Sequence, residues 1–334
     1  MDREAVGRTF LPAARAALTS FPIEADDPAL VSLAENVTFK VTDRRDGRAY
    51  VLRLHRPGYH TLDELISERR WIRGLAEAGI DVPKAVPAKD GRDYVPVTVA
   101  ATGERRFAGI LHWTEGRLLS EVLAATADQP AVESYFAQLG TLTATMHNQA
   151  SAWPAPPGFT RHALDHDGLM GETPHWGRFW EHRSLSAAER RLLLDTRARM
   201  YERLARLSRA PSGYSLIHSD MHPGNILVDG SRLTAIDFDD AGFGWHQYDI
   251  AVVLTYWQNK PNEAAVEHAF LAAYRAARPV PDEALALIPM FRLIRWMASI
   301  GWFHERPELE PSAVFEERKA WVLERCASLQ RDSS

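Results

Sequence analysis

At 334 residues, with 46% hydrophobic and 25% charged residues, the chain is long enough to build two lobes and has the composition of an ordinary globular protein. A formal net charge of −5 argues against a protein that coats nucleic acid, because phosphate binding needs a basic surface. Cys326 is the one cysteine, so no disulfide can close within the chain and a reducing, cytoplasmic setting is expected. The charged start, Met1-Asp2-Arg3-Glu4, shows no signal-peptide core, and no run is read as approaching the roughly 20 apolar residues that cross a bilayer.

In chain order, apolar positions at Val6, Phe10, Leu11, Ala14 and Leu18 predict a helix over 3–19. Residues 36–42 and 49–54 read as strands around the turn Asp43-Arg44-Arg45-Asp46-Gly47. An amphipathic helix follows over 62–76, stopped by Gly79 and Pro83, and then an antiparallel pair over 94–99 and 106–112. This compact mixed lobe is expected to span 1–112. Residues 113–116 form a hinge, and 117–334 a helical lobe. Its helices are expected over 121–126 (capped by Ser120), 131–148, 187–207 (capped by Ser186), 247–257, 262–277, 282–305 and 313–329, with an irregular aromatic segment at 162–180. The fold class is α+β and bilobal.

One hairpin, expected over 216–240, interrupts the helices. It begins with His218-Ser219-Asp220-Met221-His222-Pro223-Gly224-Asn225, continues as Ile226-Leu227-Val228, turns at Asp229-Gly230, and returns to Ile236-Asp237-Phe238. The turn brings Asn225 and Asp237 to the same end. An acid, an amide and a second acid set around two short strands are what phosphoryl transfer from Mg·ATP requires. One carboxylate, Asp220, orients and deprotonates the attacking hydroxyl, and oxygen ligands from Asn225 and Asp237 hold Mg²⁺ against the phosphates. A metal-dependent hydrolase built on His218, Asp220 and His222 is the competing reading, but it leaves Asn225 and Asp237 without a role. No GxxxxGK occurs, so the P-loop kinases do not apply.

The order of elements, with these motifs, resembles the aminoglycoside phosphotransferase and choline kinase superfamily, which shares the bilobal protein-kinase fold. The branch holding stress response kinase A and the homoserine kinases of the phosphotransferase type is the most similar. The resemblance covers roughly residues 30–305. It is carried by Tyr50-Val51-Leu52-Arg53-Leu54-His55-Arg56-Pro57, by the 218–225 segment and by Ile236-Asp237-Phe238-Asp239-Asp240. It implies an ATP- and Mg²⁺-dependent kinase with Asp220 catalytic and Asn225 and Asp237 on the metal. Arg53 replaces the usual phosphate-binding lysine and pairs with Glu68. Residues 34–41, including Asn36, cover the phosphates, and the hinge around Trp113 meets adenine. Asp249 resembles the aspartate that holds the catalytic loop in place.

The acceptor is expected to be a hydroxyl of a small metabolite, of an aminoglycoside-like molecule, or of protein Ser/Thr. Asp239 and Asp240 favour a cationic acceptor, while Arg292 and Arg295 favour a carboxylate, and the residues leave both open. A pseudokinase-like module that binds nucleotide or a partner without transfer is the alternative to an enzyme.

Overall fold

The computed structural model describes residues 3–33, 36–307 and 312–331. The chain forms two units. One comprises 1–118, 154–160 and 227–239, and the other 119–153, 161–226 and 240–334. Ala34 and Glu35, the start of the expected phosphate-covering segment, lie outside the described residues.

The first unit is built on an antiparallel sheet whose strands run in the order Ala29–Leu33, Val37–Thr42, Ala49–Leu54, Glu104–His112 and Ala85–Val86, with Tyr94–Val99 also paired to Glu104–His112. Alternation places Val37, Phe39, Val41, Tyr50, Leu52 and Leu54 on one face, all buried. Phe10, Ala14, Ala17 and Phe21, from the helix Arg3–Leu18 and just beyond it, join the same core. Arg53 therefore falls on the opposite face, opposite Thr38 on one neighbouring strand and Gly109 on the other. The helix Leu62–Glu77 opens with a reciprocal capping box, in which the Thr61 hydroxyl accepts from Glu64 N–H and the Glu64 carboxylate accepts from Thr61 N–H. Its buried Trp71 meets Phe238 edge to face, with ring centroids 5.6 Å apart. A three-stranded sheet of Arg232–Ala235, Ile226–Asp229 and Arg117–Leu118 closes close to Gly116, where a Cβ would come within 2.8 Å of the Val228 carbonyl oxygen. With φ at +132°, that position favours glycine twice over.

The second unit is helical around a short sheet of Ala163–Leu164, Gly242–Trp245 and Tyr214–Ile217. The helices Gln129–Ala152 and Glu263–Ala277 approach so closely that a Cβ on Gly140 would lie 2.2 Å from the Phe270 carbonyl oxygen. Ser186 caps Ala187–Ala205 with a second reciprocal box through Glu189. Ser120, expected as a cap, instead lies inside the first turn of Leu119–Ala124. The expected helix over 282–305 is two, Asp282–Leu285 and Ile288–His304. Taken together this stretch is long and apolar enough to cross a membrane, with mean hydropathy 1.3, although the sequence reading saw no such run. It is a core helix here: Phe291, Ile294, Met297 and Ile300 are fully buried.

Candidate active site

The loop carrying Asp220 is held from beneath. The buried Asp249 carboxylate accepts the N–H of His218 at 3.0 Å and that of Ser219 at 2.6 Å. These bonds let Ser219 keep a left-handed backbone, φ +65°, which costs a non-glycine residue about 1–2 kcal/mol. The Ser219 hydroxyl donates to the Asp240 carbonyl at 2.6 Å. Asp249 also accepts from His147 Nε2 at 3.1 Å, and the Tyr274 hydroxyl meets His147 Nδ1 at 2.8 Å. Burial pushes the His147 pKa down, so the imidazole is neutral, donating at one nitrogen and accepting at the other.

Asp220 leaves this platform part-buried, with both carboxylate oxygens engaged. Oδ2 accepts from Asn225 Nδ2 at 2.9 Å, and Oδ1 accepts from the Arg295 guanidinium on helix Ile288–His304. His222 Nε2 lies 3.5 Å from Oδ2, and His222 Nδ1 accepts Gly224 N–H at 2.9 Å. Burial alone would raise the Asp220 pKa. The neighbouring His222 ring and the Arg295 guanidinium outweigh it and hold the carboxyl below its usual range. Were Asp220 to act as the base, it would not limit the rate near neutrality: the acid limb of kcat/KM would fall below about pH 4, the ordinary Asp range, with a flat profile from pH 5 to 7. A limb near pH 6 in the pH–rate profile would assign base function to another group. His218, Asp220 and His222 do not gather their ligand atoms within 4.8 Å of one another, which removes the basis for the hydrolase reading.

Asn225 is buried, and its amide nitrogen also donates to the Asp220 carbonyl at 2.9 Å. With the nitrogen committed, the amide oxygen is the atom left for a hard cation. Strand Ile226–Asp229 starts at the next residue, and strand Arg232–Ala235 ends two residues before Asp237.

In the first unit Asp237 is the more exposed acid, again with φ +65°. Arg53 Nη1 donates to its Oδ1 at 3.0 Å and lies 3.5 Å from Asp239 Oδ1. Burial works against the charge on Arg53, but Asp237, Asp239 and Glu68 together raise its pKa, so it is a permanent cation. Glu68 is buried on Leu62–Glu77.

Sequence reasoning gave Asp239 only diffuse negative charge, yet it is the hub of this unit. Its carboxylate accepts from Asn36 Nδ2 and faces Arg53, with His55 Nδ1 at 3.8 Å, and its carbonyl accepts from His60 Nε2 at 2.7 Å. Burial would raise the Asp239 carboxyl, but Arg53 leads a set of neighbours that keep it low. Asn36 Oδ1 accepts Arg56 N–H at 3.1 Å, so both ends of that side chain are spent inside the unit. At Trp113 the backbone N–H donates to Ala49 O at 3.0 Å, and Lys40 Nζ stands 4.2 Å above the ring.

A strand-rich unit with a part-buried arginine on an aspartate, and a helical unit presenting an ionised aspartate beside an asparagine, define a protein-kinase-like phosphotransferase. The profile of the phosphotransferase enzyme family matches residues 29–286, and the chain belongs to that family. It is accordingly a kinase, an enzyme that phosphorylates hydroxyl-bearing acceptors. The chain is 25% identical over 318 residues to amicoumacin kinase of Bacillus subtilis, covering 92% of this chain and 87% of that one. It is 26% identical over 265 residues to the homoserine kinase of Methylobacillus glycogenes, covering 76% and 74%. Among solved structures, the microcompartment-associated aminopropanol kinase superposes with a TM-score of 0.77 at 30% identity, covering 95% and 94% of the two chains. The amicoumacin kinase hAmiN, bound to AMP-PNP, Ca²⁺ and Ami, gives the same score at 21% identity, over 97% and 94%, a likeness of fold.

Proposed function

We propose that the protein transfers the γ-phosphoryl group of ATP to a hydroxyl of a small molecule in the cytoplasm, using Mg²⁺. The observation that carries this is Asp220, ionised and fixed by Asn225 on a loop braced from below. In the reaction the acceptor O–H loses its proton to Asp220 as its oxygen bonds to the γ-phosphorus, and the bond from that phosphorus to the ADP oxygen breaks. The small-molecule class is supported by the relatives, whose names are those of amicoumacin, homoserine and aminopropanol kinases.

The donor set fits a hard divalent cation: an amide oxygen of Asn225 and the carboxylate of Asp237, with no thiolate among them. Mg²⁺ bound there would neutralise phosphate charge. AMP-PNP with Ca²⁺ in the solved relative supports the same pairing of nucleotide and divalent ion. Arg53, held by Asp237 and Asp239, supplies fixed positive charge for the phosphates, with Glu68 and Asn36 setting its surroundings, and the backbone around Trp113 takes the adenine edge.

Nucleotide binding tests the reading directly. ATP with Mg²⁺ is expected to raise the melting temperature of the wild type by several degrees, about the effect of binding at 100 times Kd. Chelation with EDTA or the change Asp237→Ala should abolish most of that shift. A wild type indifferent to Mg·ATP at several millimolar would refute the assignment.

A further inference from the structure

We infer that Arg295 caps the catalytic aspartate until an acceptor carrying a carboxylate lifts it off, and that the acceptor is a small hydroxy acid. This rests on Asp220 being the base of the phosphotransferase proposed above.

With Oδ1 accepting from Arg295 and Oδ2 from Asn225, both Asp220 oxygens are already engaged, and the guanidinium charge lowers the basicity of Oδ1 toward an incoming hydroxyl. Asn225 also holds the backbone carbonyl of Asp220, so it is part of the loop's frame. Arg295 comes from a different element, helix Ile288–His304, and is the partner that can leave.

Its surroundings say what could draw it away. The guanidinium stands 5.7 Å from the Trp176 ring centroid and within the field of Asp240, whose carboxylate accepts from Trp176 Nε1 at 3.1 Å. Arg318 adds a second cation. It donates to Ser299 Oγ at 2.8 Å and packs over Trp296 at 4.8 Å, and burial and the neighbouring Arg295 push its pKa down to about 10. Arg292, three residues earlier on the same helix, is already neutralised by Glu263 at 3.2 Å and Glu267 at 2.5 Å. The arginine next to the base is thus balanced by the base itself and not by a second acid salt-bridged to it.

A neutral alcohol would have to separate the Arg295–Asp220 ion pair with nothing to replace it. A carboxylate offers the guanidinium a planar, two-point partner in exchange. A hydroxyl a few bonds away then takes the vacated place on Oδ1. Ligand binding and exposure of the base become one event, and ATP stays protected from water when no acceptor is present.

The test compares acceptors differing in a carboxylate, D-glycerate against glycerol and L-serine against ethanolamine, on wild type and on Arg295→Ala and Arg295→Lys. Binding is read first by thermal shift, which needs no turnover. The carboxylate member of each pair is expected to stabilise the wild type and the neutral or cationic member to do little, a contrast lost in Arg295→Ala and partly kept in Arg295→Lys. Phosphate transfer is read second. The ratio of kcat/KM between pair members should exceed about tenfold in the wild type and fall toward one in Arg295→Ala, chiefly through KM. Equal stabilisation by both members, or a contrast that survives Arg295→Ala, overturns the role of Arg295. A carboxylate contrast in binding with no transfer to any acceptor would overturn the phosphotransferase reading alone. Retained stabilisation by Mg·ATP shows that each variant is folded.

Discussion

Replacing Asp220 with asparagine is expected to lower kcat by about 10²–10⁴-fold, the range for loss of a positioned general base. Nucleotide affinity should stay within about threefold, since no donor to the phosphates is removed. The variant keeps the loop's frame, because Asn225 still donates to the backbone carbonyl of residue 220 and Asp249 still accepts from His218 and Ser219. It does lose the counter-charge of Arg295, a part-buried cation, and about 1–3 kcal/mol of stability should go with it. Activity must therefore be measured well below the lower melting temperature, with Mg·ATP binding as the folding control. A kcat within tenfold of wild type would remove Asp220 from the chemistry.

The change with the largest expected effect on stability is Asp239→Ala. The carboxylate is almost wholly buried, and its loss leaves the Asn36 amide without an acceptor and Arg53 with a single facing acid at salt-bridge distance, Asp237. Breaking a buried charge pair by deleting one member costs about 3–5 kcal/mol. That loss should appear as a lower urea midpoint with an unchanged slope. Asp239→Asn, which keeps the shape and one acceptor, should fall between the two. A cost under about 1 kcal/mol in the alanine variant would mean that Arg53 is held by Asp237 alone. The same pair predicts a direction with pH. The folded-state pKa values of both Asp239 and Asp220 are depressed, so their contribution to stability is complete above the unfolded value of about 4 and is lost as pH falls below it.

Much of this segment was legible because its residues lie close in sequence. The stretch from His218 to Asp237 contains its own loop, strands and turn, and spacing alone predicts them. Periodicity located Leu62–Glu77 to within a residue, since its apolar face and its stops are both local. Strand Ala29–Leu33 was not visible, because its side chains are mostly exposed and show no alternation. The two-residue strands Ala85–Val86, Arg117–Leu118 and Ala163–Leu164 exist only through their partners. Residues 227–239 follow the helices in sequence yet pack with the strand-rich unit, through pairs such as Leu227 with Leu118 that no local pattern encodes. Asp239 and Arg295 were seen as charges without partners. Asn36 is 203 residues from the first, and Asp220 is 75 from the second.

The left-handed backbone at Asp237 makes that position selective in two independent ways, and the usual substitution scales rank its neighbours wrongly. Glutamate conserves the charge but has no easy access to that conformation. Glycine conserves the conformation and discards the carboxylate, while asparagine tolerates the conformation and offers Arg53 a neutral oxygen in place of an anion. Among the twenty residues aspartate alone meets both demands. In a saturation library at position 237, the survivors should be sorted by chain geometry before they are sorted by chemistry.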